Sequence, residues 1–294
     1  MSSYDFQTTT YGKWILAGEH AVLRGHGALV FPIPGKTLTL SYQGSNSKLS
    51  ASYEGQASAD IHLLFWSVLE QGQQLLGKSL TDLHGHFHLY NDIPIGVGMG
   101  ASAALCAAMA RWFSAQKMIP PDSIYAFAKD LENLFHGKSS GLDIAGVAAS
   151  SGIYFQEGKM SPIKQFWRPQ WFLSSCGQIG ITSHCINQVQ DLWKTDATKA
   201  ILIDENMNDS VRKARSALEN NDSSLKRLAE AIKQAAACFR EWGLISDNLQ
   251  SHMQKLQDAG ALAVKPTGSG GGGYVLSLWK ETPPPALSID FIAV

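Results

Sequence analysis

"IPIGVGMGASAALCAAM", residues 93–109, places three glycines at alternate positions, Gly96, Gly98 and Gly100, directly ahead of an Ala/Leu/Met-rich stretch. That stretch predicts a helix from about Ser102 to Gln116. A loop without side chains, set against a helix N-terminus, is a ready anion site. Its N–H groups are free and the helix dipole favours negative charge. A P-loop would close with Lys-Ser or Lys-Thr, and this loop does not. The string GVGMGA meets a loose dinucleotide pattern, but Asn91, Asp92 and Pro94 interrupt the strand that should feed it. Asp122, the acidic residue nearest the expected spacing, stands behind two prolines. A tight turn packing a helix on a strand is the other reading of these residues.

Working outward, the segments "KWILAGEHAVL", "ALVFPI" and "KTLTLSY" read as strands, rich in β-branched and aromatic residues between Gly and Pro. "SADIHLLFWSVLEQGQQLL" carries Ile61, Leu64, Phe65 and Val68 at helical spacing, and "HGHFHLYNDIP" alternates toward a turn. "PPDSIYAFAKDLENLFHG" predicts a helix that Asp122 caps and Gly137 ends. Near residue 160 Pro and Trp break every period, which divides the chain into domains 1–160 and 161–294. Helices are expected over 208–219, 223–242 and 246–258, with Gly243 and Gly260 as stops. "ALAVKPTGSGGGGYVLSLW" then reads strand, glycine loop, strand.

Composition narrows the function classes. A length of 294 residues supports two domains with sizeable cores. A net charge of −1 gives no electrostatic case for nucleic acid or a membrane surface as partner. No apolar run approaches a membrane span, and the first residues lack a secretory pattern. Four scattered cysteines without a CxxC pair fit a reduced, cytoplasmic protein without zinc.

Three further stretches could carry chemistry. In "LENLFHGKSSGLD", Glu132 and Asp143 flank a glycine-rich turn, and such a pair could bind Mg²⁺ and deprotonate an alcohol. On spacing alone, a solvated Glu132 and an Asp143 that caps "IAGVAAS" is the better reading. In "GKWILAGEHAVLRG", Lys13, Glu19 and His20 adjoin apolar runs, where burial without partners is costly; a lone histidine there more often serves packing. The run "TGSGGGG", 267–273, permits close backbone approach or forms a plain hairpin.

Together these motifs resemble the GHMP family of small-molecule kinases, and within it the mevalonate-phosphorylating branch. "GKWILAGEHAVLRG" resembles the N-terminal signature, "PIGVGMGASAA" the phosphate loop PxGxGLGSSAA, "HGKSSGLD" the segment HGxPSGxD, and "KPTGSGGGGYV" the C-terminal glycine motif. The likeness runs from residue 12 to 274. There are departures. Ala101 stands where the family has the first serine of a pair, Lys138-Ser139 replaces Asn-Pro, and Cys185 aligns with a threonine, although Thr182 is near. Lys138 is expected to be a solvated turn residue.

The resemblance implies an α+β, two-domain fold. Its N-terminal domain would be like domain 2 of ribosomal protein S5 and its C-terminal domain ferredoxin-like, with the site in the cleft between them. It implies ATP and Mg²⁺ as cofactors. Pro94, Gly96, Gly98, Met99, Gly100, Ala101, Ser102 and Ala103 would hold the nucleotide, and Ser102 with Glu132 the metal. Asp143 would be the base and Lys13 its charged neighbour. Glu19, His20, Gly268 and Ser269 would hold the acceptor, mevalonate or a similar small alcohol. A phosphomevalonate, homoserine or sugar kinase of the same family, or a non-catalytic binding protein, is the alternative. A homodimer is left open.

Overall fold

The computed structural model describes residues 4–56, 58–136, 139–220 and 224–294. Along the chain run β1 (Phe6–Ala17), β2 (Ala28–Lys48), β3 (Ser50–Gly55), α1 (Ser58–Leu75) and β4 (His84–Asn91). Then come α2 (Ala101–Ala115), α3 (Ile124–His136), α4 (Leu142–Ala148), β5 (Ile153–Gln156), β6 (Lys159–Pro162) and β7 (Gln170–Ser175). The remainder holds α5 (Thr182–Thr195), α6 (Ala197–Glu219), α7 (Leu225–Glu241), α8 (Asp247–Asp258), β8 (Ala263–Thr267), β9 (Tyr274–Trp279) and β10 (Ile292–Ala293). Among the described residues no helix is long and apolar enough to cross a membrane.

The elements form two compact units, each threaded from several pieces of chain. One holds residues 1–13, 32–95 and 99–150; the other holds 14–31, 96–98 and 151–294. In the first unit β2 pairs antiparallel with β4 (Leu40↔Leu89), and β3 pairs parallel with β4 (Ser52↔His88). The alternating burial of β4 turns Phe87 and Leu89 inward. There Tyr42, Phe65, Trp112 and Phe113 join Phe87 in edge-on and tilted ring contacts. Helix α2 is almost entirely buried, because its alanines let α3 and α4 pack closely on it. In the second unit residues 28–30 of β2 pair with β5, and β5 with β6. A separate antiparallel sheet has the order β10-β7-β9-β8, with α7 and α8 packed against β8.

Several expectations change. "ALVFPI" and "KTLTLSY" are one continuous strand, β2. Its prolines, Pro32 and Pro34, fall after the β5-paired residues and before the β4-paired ones, so neither ladder needs their missing N–H. Asp122 is not the cap of the short 3₁₀ turn (Pro121–Ser123) before α3: it lies inside that turn, which Pro120 precedes without a side-chain cap. Gly137, the expected stop of α3, lies outside the described residues. Helix α6 begins at Ala197, well before the expected start at residue 208. Its buried stripe of Ala200, Ile203, Met207 and Ser210 mixes small and polar residues, while Ile201 and Leu202 point outward. Helix α5 was not legible as a helix, having only Cys185 and Val189 buried.

Candidate active site

In the first unit three charged side chains converge. Lys13, near the middle of β1, is buried at 2% exposure and sends Nζ to Asp143 Oδ2 at 2.9 Å. Asp143 lies in the first turn of α4 and keeps 30% of its side chain exposed. It does not cap α4. Gly141 holds the cap position in the left-handed conformation, with no side-chain bond, and leaves the Asp143 carboxylate to Lys13. Glu132, on α3, is buried at 1% exposure. One of its oxygens accepts a hydrogen bond from the Ser139 hydroxyl. The other, Oε1, has no hydrogen-bond partner among the described residues. Burial pushes the Glu132 carboxyl above the usual carboxylate range; the negative Asp143 adds to this, and Ser139 and Lys13 oppose it. Glu132 is therefore no solvated helix residue. It is a desolvated carboxylate with an unused oxygen.

The glycine loop serves this cluster by steric means as well. The Lys13 N–H donates to Met99 O at 2.9 Å. A Cβ on Gly100 would come within 2.9 Å of Lys13 Cγ and 3.1 Å of Val147 Cγ1, and Gly100 has φ +81°. Only glycine permits both the left-handed turn and the close approach to Lys13. Gly100 precedes α2, Ala101 and Ala103 are buried, and Ser102 is half-buried in the first turn. Pro94 is half-buried at the entry to the loop.

In the second unit Gly96 and Gly98 also have positive φ, +77° and +82°. Val97 O lies 3.1 Å from where a Gly273 Cβ would stand, so the start of one glycine loop adjoins the end of the other. Glu19 is buried and pairs with Lys265 Nζ at 2.5 Å; Lys265 also donates to Ile15 O and lies 5.2 Å over the Phe239 ring. Burial raises the Glu19 carboxyl against the pull of Lys265, and the N–H of Gly268 also favours the charged form. Thr267 Oγ1 is bonded to both the N–H and the carbonyl of Ile15, at 2.9 and 3.0 Å. His20 Nε2 bonds Ser269 O at 2.8 Å, and its ring meets Trp242 edge-on at 5.2 Å. Burial lowers the His20 pKa to about 4, so the ring is neutral at pH 7. A carbonyl only accepts, so Nε2 carries the proton and Nδ1 is a bare acceptor. His20 has φ 59°, a conformation most side chains avoid.

Lys13, Glu132, Asp143 and Ser102 thus belong to one unit, and Glu19, His20, Gly268 and Ser269 to the other. Lys265 and Ser139 were missed. A lysine inside the strand "ALAVKPT" was the available signal for the first; nothing local marked the second. Cys185 is buried and packs against Gly271, whose Cβ would stand 2.9 Å from its Sγ, while Thr182 Oγ1 takes a bond from Ser269 Oγ. Lys138 lies outside the described residues.

Residues 64–152, which include Ser102, Glu132 and Asp143, match the family described as GHMP kinases N terminal domain. Over these residues the chain is similar to the GHMP kinases. Among curated proteins the chain is similar to the mevalonate kinase of Aeropyrum pernix, 26% identical over 92% of this chain and 87% of that one. It is similar also to the mevalonate kinase of Archaeoglobus fulgidus, 27% identical over 93% and 92%. Its fold matches the L. major mevalonate kinase solved with R-mevalonate, with a TM-score of 0.78 over 96% of this chain and 90% of that one at 23% identity.

Proposed function

We propose that this GHMP kinase transfers the γ-phosphoryl group of ATP to the primary hydroxyl of mevalonate, giving 5-phosphomevalonate and ADP. The observation that carries the reading is the Lys13–Asp143 pair, a carboxylate partly open to solvent and held by a buried ammonium at 2.9 Å. Asp143 accepts the hydroxyl proton as the oxygen attacks phosphorus. Lys13 fixes the Asp143 carboxylate and offsets charge on the transferring group. The glycine loop and the first turn of α2 offer N–H groups to the phosphates.

The donor set fits a magnesium ion. Glu132 Oε1 is a buried carboxylate oxygen without a partner among the described residues, and Ser102 adds a hydroxyl, both hard oxygen ligands. Glu132 and Ser102 would hold the ion, which when bound offsets the charge of the phosphates. His20 offers Nδ1 as acceptor to a substrate hydroxyl. Glu19 acts at one remove, pairing Lys265 of β8 beneath the 267–273 loop that includes Gly268 and Ser269. The names of the curated relatives and the position of the four motifs support mevalonate over other acceptors.

Turnover with Mg-ATP across mevalonate, phosphomevalonate, homoserine and galactose tests this. Mevalonate should have the highest kcat/KM. Preference for another acceptor would keep the kinase and overturn the substrate, and ATP binding without turnover on any acceptor would leave a binding protein.

A further inference from the structure

His20 sits in a loop, residues 18–27, in a backbone conformation that persists only where the surroundings hold it. One face of α6 does so. Asp204, Met207 and Asn208, spaced i, i+3, i+4, meet the loop at both ends and in the middle. The Gly18 N–H points to Met207 Sδ at 3.2 Å, and the Gly27 N–H donates to Asn208 Oδ1 at 3.3 Å. Between them Arg24 grips Asp204 with two prongs, Nε to Oδ2 and Nη2 to Oδ1, the second at 2.7 Å. Trp193 of α5 lies under the guanidinium at 5.1 Å. Asp204 is buried at 1% exposure. A buried ion pair is weak evidence for stability, since desolvation offsets most of the attraction; a forked pair fixes direction instead.

We propose that this face of α6 sets the position of His20, and that Asp204 is a positioning residue for the acceptor alcohol. The inference rests on the reading of His20 as an acceptor-facing group. Asp204 touches no substrate; it acts through Arg24, four residues along the chain from His20. A loosened loop moves Nδ1 relative to the acceptor hydroxyl and leaves the Lys13–Asp143 pair of the other unit intact.

The test uses the full chain. Asp204→Asn keeps the shape and removes the charge. The KM for the acceptor should rise by about fivefold or more, while the KM for ATP and kcat stay within about twofold. Asn208→Ala should move the same constant less. The His20 imidazole signals in ¹H–¹⁵N spectra should shift in Asp204→Asn without any substrate. Both KM values moving together, neither moving, or unchanged imidazole signals would each overturn the proposal. A wild-type protein that ignores every alcohol would sink the acceptor reading alone, and the imidazole signals would still decide the α6 contact. Should Asp204→Asn not fold, Arg24→Lys keeps the charge, loses the fork, and carries the same expectations.

Discussion

The two units handle buried charge in opposite ways. In the second, each buried carboxylate faces a cation, Glu19 with Lys265 and Asp204 with Arg24. In the first, two carboxyl groups face Lys13, and Lys129 also acts on Glu132. Glu132 is held away from water beside a second carboxyl group, and Asp143 stays partly open. Balanced, sealed pairs hold loops in place. An unbalanced, half-open cluster carries excess negative charge, which a cation would offset. Composition alone, at a net charge of −1, shows none of this.

The comparison breaks most plainly at Asp143. Asp143→Asn should lower kcat by about 10²–10⁴ with melting little changed, the loss expected of a general base. Near-normal steady-state turnover would remove Asp143 from the chemistry. Glu19→Gln should do the reverse: it removes the buried carboxylate that faces Lys265 and should cost about 3–5 kcal/mol by denaturant titration. A loss under about 1 kcal/mol would mean that the sealed pair holds nothing.

The Glu132 carboxyl sharpens the contrast through pH. Burial, then Asp143, raises its folded pKa above the unfolded value, so the folded state binds the proton more tightly. That stabilisation is complete below the ordinary carboxylate range and is lost as pH rises through the raised value. Melting temperature of the ligand-free protein, followed from about pH 5 to about pH 9, should therefore fall more steeply in wild type than in Glu132→Gln. Parallel curves would contradict the raised value. The smallest effects belong to the first turn of α2. Ser102→Ala should weaken Mg-ATP binding in isothermal titration, whereas Ala101→Ser, which restores the serine usual in the phosphate loop that this stretch resembles, should be close to neutral. Equal effects would mean that the wrong residue was assigned to the metal.

Much of the site was legible where function is local. The glycine loop with α2 and the β8–loop–β9 hairpin are each contiguous, so composition and spacing marked them; the Glu132–Asp143 segment stood out only through its resemblance to a kinase motif. What stayed hidden depends on residues distant in sequence. Glu132 and Asp143 looked solvated and capping because nothing local shows that Lys13 reaches Asp143. Gly100 suggested phosphate alone, and its fit against the Lys13 side chain needs β1 folded beside it. Lys265 was quoted inside a strand without its partner. Helix α5 and the first half of α6 carry weak apolar stripes, and short-range patterns fail there. The continuity of β2 was masked by prolines that the ladders tolerate.

The hydrogen bond from the Ile15 N–H to Thr267 Oγ1 joins residues 252 apart in sequence. The second unit likewise gathers chain from both halves of the molecule, residues 14–31 and 96–98 with 151–294. Closure of such long loops must precede any reward from the contacts they bring, which slows folding. On the ribosome, the segment bearing Glu19 and His20 emerges early and waits for β8 before its buried carboxylate meets Lys265. Until then that carboxylate lacks the ammonium that accompanies its burial in the folded protein.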